Sequence, residues 1–210
     1  FIKDNVNSRI YTTKQHWVVY DNIFARAGID LVFLPYYSSE SRALDFDAYF
    51  SALKELPSNS VVMVQPTCHN PTGCDLSPLQ WKEVMELSIS KDFLIIFDTA
   101  YYGLATGDMH TELAPIRDFV GKGVKVMIAQ SFSKVMAFYG ERLGALHIIT
   151  ENESDVEGIN SYFAKLVNAE YGHPSKIPAI TALHVMRHMK EEWLKEVEAV
   201  GQRIKRIRIN

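Results

Sequence analysis

The chain has 210 residues, 47% hydrophobic and 22% charged, with a formal net charge of −3, which suits one large globular domain with a full core. That charge offers no electrostatic footprint for nucleic acid, and the one basic cluster, RIKRIRI at Arg203 to Ile209, alternates with isoleucine and reads as a snorkelling amphipathic face. No run reaches the roughly 18 apolar residues of a membrane span, so neither nucleic acid nor membrane is expected as a partner.

Strand-like apolar runs alternate with helical periodicities along the chain. SRIYT precedes the helical HWVVYDNIFARAG; DLVFLPYY precedes DFDAYFSALKEL; SVVMVQ precedes SPLQWKEVMELSIS; and DFLIIFD precedes TELAPIRDFVGKG. VKVMIAQ and LGALHIIT follow as strands. Helices are then expected over ENESDVEGINSYFAKLVNA and over PAITALHVMRHMKEEWLKEVEAVGQRI, the latter broken only by Gly201. Strand, crossover helix and strand repeated in this way predict an α/β fold, a mostly parallel sheet covered by helices on both faces.

In open sheets of this kind ligands sit beyond the carboxyl ends of the strands. Three polar motifs fall there: TCHNPTG after SVVMVQ, Asp98 to Tyr101 at the end of FLIIF, and Gln130 to Lys134 after VKVMIA. Cys68 and Cys74 flank HNPTG without CxxC spacing or a matching His/Cys cluster. They read as free thiols in a reducing compartment, and no metal site is expected.

Lys134 at a strand end, beside hydroxyls and Arg142, is placed as a Schiff-base lysine would be, although SFSK alone also suits a polar surface loop. Ser131, Ser133 and the fork of Arg142 suit phosphate oxygens. Aldehyde, phosphate and lysine together suggest pyridoxal phosphate. Asp98 ends an apolar strand, where a carboxylate calls for a cationic partner such as a pyridinium nitrogen; a turn or helix-capping role is the alternative. Tyr101 and Asn70 carry donors suited to the ring's 3-oxygen, and Trp17 could stack on a planar ring or pack in the core.

HNPTG at His69 to Gly73, FDTAYYG at Phe97 to Gly103 and SFSKVMAFYGERLGAL at Ser131 to Leu146 resemble the aspartate and aromatic amino acid aminotransferases, class I pyridoxal-phosphate enzymes of fold type I. The resemblance implies transfer of an amino group from an L-amino acid of aspartate or aromatic type to a 2-oxo acid such as 2-oxoglutarate, by a homodimer. It implies that Lys134 carries the cofactor and shuttles a proton, with Asp98 and Tyr101 as its catalytic companions. Asp98 would pair with the pyridine nitrogen, Tyr101 and Asn70 would bind the 3-oxygen, Trp17 would stack on the ring, and Ser131, Ser133 and Arg142 would hold the phosphate. Asn70 and Trp17 would also border the substrate.

Two positions depart from that pattern. The place of an arginine that binds a distal carboxylate from the neighbouring subunit holds Asn168, which weakens selection for dicarboxylates and leaves a broader or aromatic preference open. A histidine that commonly supports the pyridine-binding aspartate is replaced by Tyr20, whose hydroxyl is an alternative donor to Asp98. The resemblance further implies a fragment, with residues 1–190 part of a cofactor-binding large domain and 191–210 the start of a helix toward a small domain. A phosphate loop is then expected before Phe1 and a carboxylate-binding arginine beyond Asn210, so the 210 residues alone are expected to turn over little. The compartment expected is the cytoplasm, with mitochondrial relatives sharing the motifs. The competing readings are another fold type I enzyme, such as a β-lyase or decarboxylase, and a truncated or degenerate non-catalytic paralogue.

Overall fold

The computed structural model describes residues 8–150 and 152–209, without the side chains of Arg208 and Ile209. Glu151, expected at the head of a helix, lies outside the described residues. Six strands form one sheet: β1 (Arg9–Thr13), β2 (Asp30–Leu34), β5 (Val61–Val64), β6 (Leu94–Thr99), β7 (Lys125–Ser131) and β8 (Gly144–Ile148), in the order β2-β1-β5-β6-β7-β8. All neighbours are parallel except β7 and β8. A two-stranded ribbon, β3 (Tyr37–Ser38) with β4 (Ala43–Leu44), follows β2.

Period-2 alternation assigns the two sheet faces. Val62, Val64, Ile95, Phe97 and Val126 belong to the larger core. They pack there against Tyr49 and Leu53 of α2 (Phe46–Lys54), Trp81, Val84 and Met85 of α3 (Pro78–Ser90), and Ile116 and Phe119 of α5 (Ala114–Gly121). Ile10, Val61 and Met63 turn the other way and meet Tyr20 and Phe24 of α1 (Val19–Ala27), with Leu94 and Ile96 beside them. The all-apolar run VVMV in β5 is therefore buried on both faces. Cover is uneven, because on the α1 side the cross-strand pair Ala129 and Leu146 is exposed.

Helix starts follow local chemistry. Ser77 and Gln80 form a reciprocal capping box with Pro78 in the first turn of α3, and Asp45 Oδ1 accepts from Ala48 N at 3.1 Å at the head of α2. The segment expected as one strand, DLVFLPYY, ends at Leu34: Pro35 lacks the N–H a continuing strand needs, and Tyr37 pairs with Leu44 instead. TELAPIRDFVGKG divides at Leu113 into α4 (Met109–Glu112) and α5, where Pro115 opens the second helix. The first helix begins at Val19 rather than His16 and leaves Trp17 ahead of it.

The last expected helix is corrected more substantially. It breaks at Met189 (φ −132°, ψ 25°), between α7 (Lys176–His188) and α8 (Lys190–Ile209), and runs without interruption through Gly201. Gly201 is a contact point, not a breaker. A Cβ there would lie 2.6 Å from Gly107 Cα and 2.9 Å from Gly103 O, and Gly103 and Gly107 carry φ of +84° and +90°. These glycines seat α8 against the loop after β6, with Gln202 Nε2 donating to Thr106 O at 2.9 Å. Glycine to alanine within a helix ordinarily gains about 1 kcal/mol. Because only backbone faces Gly201, overpacking wins, and Gly201→Ala should lower stability by about 2 kcal/mol in denaturant unfolding; an unchanged or raised midpoint would mean that α8 is not seated there.

Among the described residues no helix is long and apolar enough to cross a membrane. α6 (Glu153–Glu170) buries none of its residues. In the basic cluster, Ile207 is 68% exposed, so that isoleucine is not covered by the face it was expected to form.

Candidate active site

The polar residues of the site continue the alternation of the strands. Val61 and Met63 face α1, and Gln65, two residues on, faces the same side just past the end of β5; Leu94 and Ile96 are followed in the same way by Asp98. Since Val64 registers with Phe97, Gln65 and Asp98 lie side by side one residue further on. Tyr20 of α1 reaches them: its hydroxyl donates a short hydrogen bond to Asp98 Oδ2. Gln65 Nε2 donates at 3.2 Å to both Asp98 Oδ2 and the Tyr20 oxygen. The expected Tyr20 donor is thus in place, accompanied by an amide that the sequence reading passed over. Burial first, and then the Asp98 charge, push the Tyr20 phenol well above its ordinary range, so it stays a donor at neutral pH.

Gln65 also fixes the loop that follows. Its Oε1 accepts Asn70 N at 2.6 Å, and Asn70 Nδ2 donates to Tyr101 Oη at 3.3 Å. The Tyr101 hydroxyl, receiving that donor, keeps its own proton available for an acceptor. Its pKa is raised by burial first and then by Asp98, which keeps it protonated. Lys134 Nζ lies 5.4 Å from the Tyr101 ring centroid and 4.1 Å from that of Tyr139. Among the described residues it makes no ion pair. Asp98, Tyr101, Asn70 and Lys134, from three different strand ends, are therefore linked through close contacts.

The other expected residues are placed less directly. Trp17 is 41% exposed and meets Tyr20 edge-on at 5.6 Å, so it is not a core residue and its ring faces are not both packed. Ser131 pairs with Gly144 across β7 and β8, which brings it to the same end as Arg142, and Ser131 Oγ accepts Ser133 N at 3.1 Å. Arg142 is exposed, holds a left-handed backbone (φ 57°) and donates to Tyr139 O at 2.7 Å. Asn168 is exposed on α6, with no described contact to the cluster. Cys68 and Cys74 form no disulfide.

Two further buried groups hold the site loops. Glu112, 7% exposed, accepts from Gly103 N and Thr106 N, both at 2.7 Å, from Thr106 Oγ1 at 2.9 Å and from Thr67 Oγ1 at 3.2 Å. Four donors meet its desolvation and fasten the loop after Tyr101 to the loop after β5. His69 lies between Thr13 Oγ1 at 2.9 Å and Thr72 Oγ1 at 2.8 Å and stacks on Tyr36 at 4.1 Å, locking the turn that carries Asn70. Burial lowers its pKa to about 4.

Comparison with known proteins identifies the family of the chain. The family model for aminotransferase class I and II matches residues 1–208. Mitochondrial aspartate aminotransferase of Gallus gallus is 32% identical over 197 residues, which are 93% of this chain and 47% of that protein. An aromatic amino acid aminotransferase from Burkholderia cenocepacia superposes with a TM-score of 0.94 at 30% identity, over 99% of this chain and 52% of that one. An aromatic-amino-acid aminotransferase from Burkholderia pseudomallei, in a structure covalently bound to pyridoxal phosphate, gives 0.92 at 27% identity, over 96% and 51%. The chain spans about half the length of the curated relatives it matches. With a matching sheet and a family match over nearly its whole length, the chain belongs to the class I and II aminotransferase family.

Proposed function

We propose that this chain forms part of a pyridoxal-phosphate-dependent aminotransferase acting on an L-amino acid of aspartate or aromatic type and a 2-oxo acid such as 2-oxoglutarate. The observation that carries the reading is the linked cluster of Asp98, Asn70, Tyr101 and Lys134 at the carboxyl ends of β5, β6 and β7. The donor set suits the cofactor: Asp98 Oδ2 is occupied by Tyr20 and Gln65, whereas Oδ1 takes no donor among the described hydrogen bonds. That oxygen would be the acceptor for a protonated ring nitrogen. When bound, pyridoxal phosphate would supply the electron sink that lets an amino acid lose its Cα proton.

The residues then divide the remaining work. Asp98 Oδ1 would accept from the ring nitrogen, the Tyr101 hydroxyl and Asn70 Nδ2 would meet the 3-oxygen, and Trp17 would offer an open ring face. Ser131, Ser133 and Arg142 would grip the phosphate from the β7–β8 end. Lys134 Nζ, which has no carboxylate partner among the described residues, would hold the cofactor and would be the base for the proton at the substrate Cα. We take residues 1–190 as part of the cofactor-binding domain and 191–210 as the start of a helix leading out of it. Trp193 and Val197 anchor the first turns of that helix. The assembly proposed is a homodimer. Exposed Tyr162 and Leu166 on α6 support it, and Asn168 on that helix would then face the partner's substrate.

The test is acceptor dependence. With pyridoxal phosphate and an amino acid alone, the whole protein of which this chain forms part should release at most one equivalent of oxo acid per site, and multiple turnovers should require an added 2-oxo acid. Asp98→Ala should lower the rate of that first turnover by about 100-fold, because the developing charge loses its stabiliser. Continued product formation without an acceptor would overturn the aminotransferase reading.

A further inference from the structure

We infer that Gln65 is a positioning residue that sets which oxygen of Asp98 is offered to a ring nitrogen and couples that carboxylate to Asn70; the inference rests on the pyridoxal-phosphate reading. The amide can be oriented in only one way. Asn70 N is a backbone donor, so the atom 2.6 Å from it must be the amide oxygen. Nε2 then necessarily points at Asp98 Oδ2 and at the Tyr20 oxygen, 3.2 Å from each.

Two consequences follow from donor counting. The Tyr20 oxygen accepts from Gln65, so its single proton is directed to Asp98 Oδ2. With two protein donors on Oδ2, Oδ1 is left as the acceptor that faces a ligand. The same side chain ties the backbone of Asn70 to this carboxylate, so the residues proposed for the two polar edges of the ring, its nitrogen and its 3-oxygen, are spaced by one amide. Gln65 is also 9% exposed and does not titrate, and Tyr20 stays protonated through neutral pH, so the support of Asp98 does not change with pH across the neutral range.

The experiment compares binding of pyridoxal phosphate with binding of its analogue in which a ring carbon replaces the pyridine nitrogen, in the whole protein of which this chain forms part, unchanged and as Gln65→Met. A residue acting through Asp98 on the ring nitrogen should weaken pyridoxal phosphate by about tenfold in Gln65→Met and leave the analogue within about twofold. A loss of the same size for both compounds would reduce Gln65 to a structural support of the Asn70 loop and overturn the inference, leaving the cofactor reading intact. Failure of the unchanged protein to bind either compound would overturn the cofactor reading and the inference with it. If Gln65→Met does not fold, Gln65→Asn, which keeps an amide but withdraws it by one methylene, gives the same comparison with the same two outcomes.

Discussion

Replacing Lys134 with alanine is expected to abolish site-specific, borohydride-stable attachment of pyridoxal phosphate. In the unchanged protein the label should map to the turn after β7, because Lys134 combines a defined position over the Tyr101 and Tyr139 rings with the absence of any described ion pair. Exposed lysines such as Lys125, which is bonded to Asp92 at 2.6 Å, lack a surrounding set of ring-binding groups and should label weakly and without preference. Lys134→Arg separates charge from chemistry. It retains a cation over the two tyrosine rings, yet its guanidinium cannot form the bond to an aldehyde. Both variants should therefore lose the mapped label, and amino-group transfer by the whole protein of which this chain forms part should fall by about 10³-fold or more, since attachment and proton transfer are lost together. Unchanged labelling in Lys134→Ala would remove this residue from the chemistry.

The parts of the site legible in the sequence are those whose chemistry is anomalous for their position. Asp98 is the clearest: a carboxylate ending LIIF has no reason to be there without a partner. Gln65 carries the same signal, a polar residue continuing the α1-facing row of Val61 and Met63, and strict alternation along β5 would have found it. Tyr20 contributes through the fold, since only the packing of α1 on β5 and β6 brings it within reach of a residue 78 positions away. Glu112 could not be read at all, because its donors come from loops whose paths depend on α8 packing behind them.

The division of the final helix shows the same limit from the opposite side. Apolar periodicity runs unbroken through Met189, a competent helix former, and nothing local demands a bend. Tertiary contact supplies it: Trp193 Nε1 donates to Val135 O at 3.1 Å, and Val197 enters the cluster with Tyr102, Phe132 and Val135. Local propensity also made Gly201 look like a breaker, whereas its missing side chain is used to bring α8 against Gly107. Proximity of α8 to the turn bearing Lys134 and the loop bearing Tyr101 was thus invisible until the chain was folded.

The second large effect expected is a stability that climbs between about pH 4 and 6.5 and depends on His69. Its pKa is lowered to about 4 by burial, from an ordinary 6.5. Between those values the unfolded chain binds a proton that the folded chain refuses, so stability rises with pH through the window. The contribution is fully present above 6.5 and is lost as pH falls toward the folded value. A difference of about 2.5 units corresponds to about 3 kcal/mol, a large share of the 5–15 kcal/mol typical of a domain. Burial sets this cost, and the ring's described contacts do not offset it: only one of the two threonine hydroxyls need accept from the neutral ring, whereas a charged ring stacked on Tyr36 would have to donate to both, with no carboxylate among its described partners. Carboxylates titrate in part of the same range, so the informative quantity is the difference between the unchanged protein and His69→Gln, which keeps an amide in the site and cannot ionise. Denaturant unfolding at pH 4.5 and 7 should show the gap between the two proteins narrowing by about 2–3 kcal/mol at the lower pH. A gap that stays constant with pH would mean that His69 takes up its proton as readily in the folded chain as in the unfolded one, and the locked turn carrying Asn70 would then have to be held by other contacts.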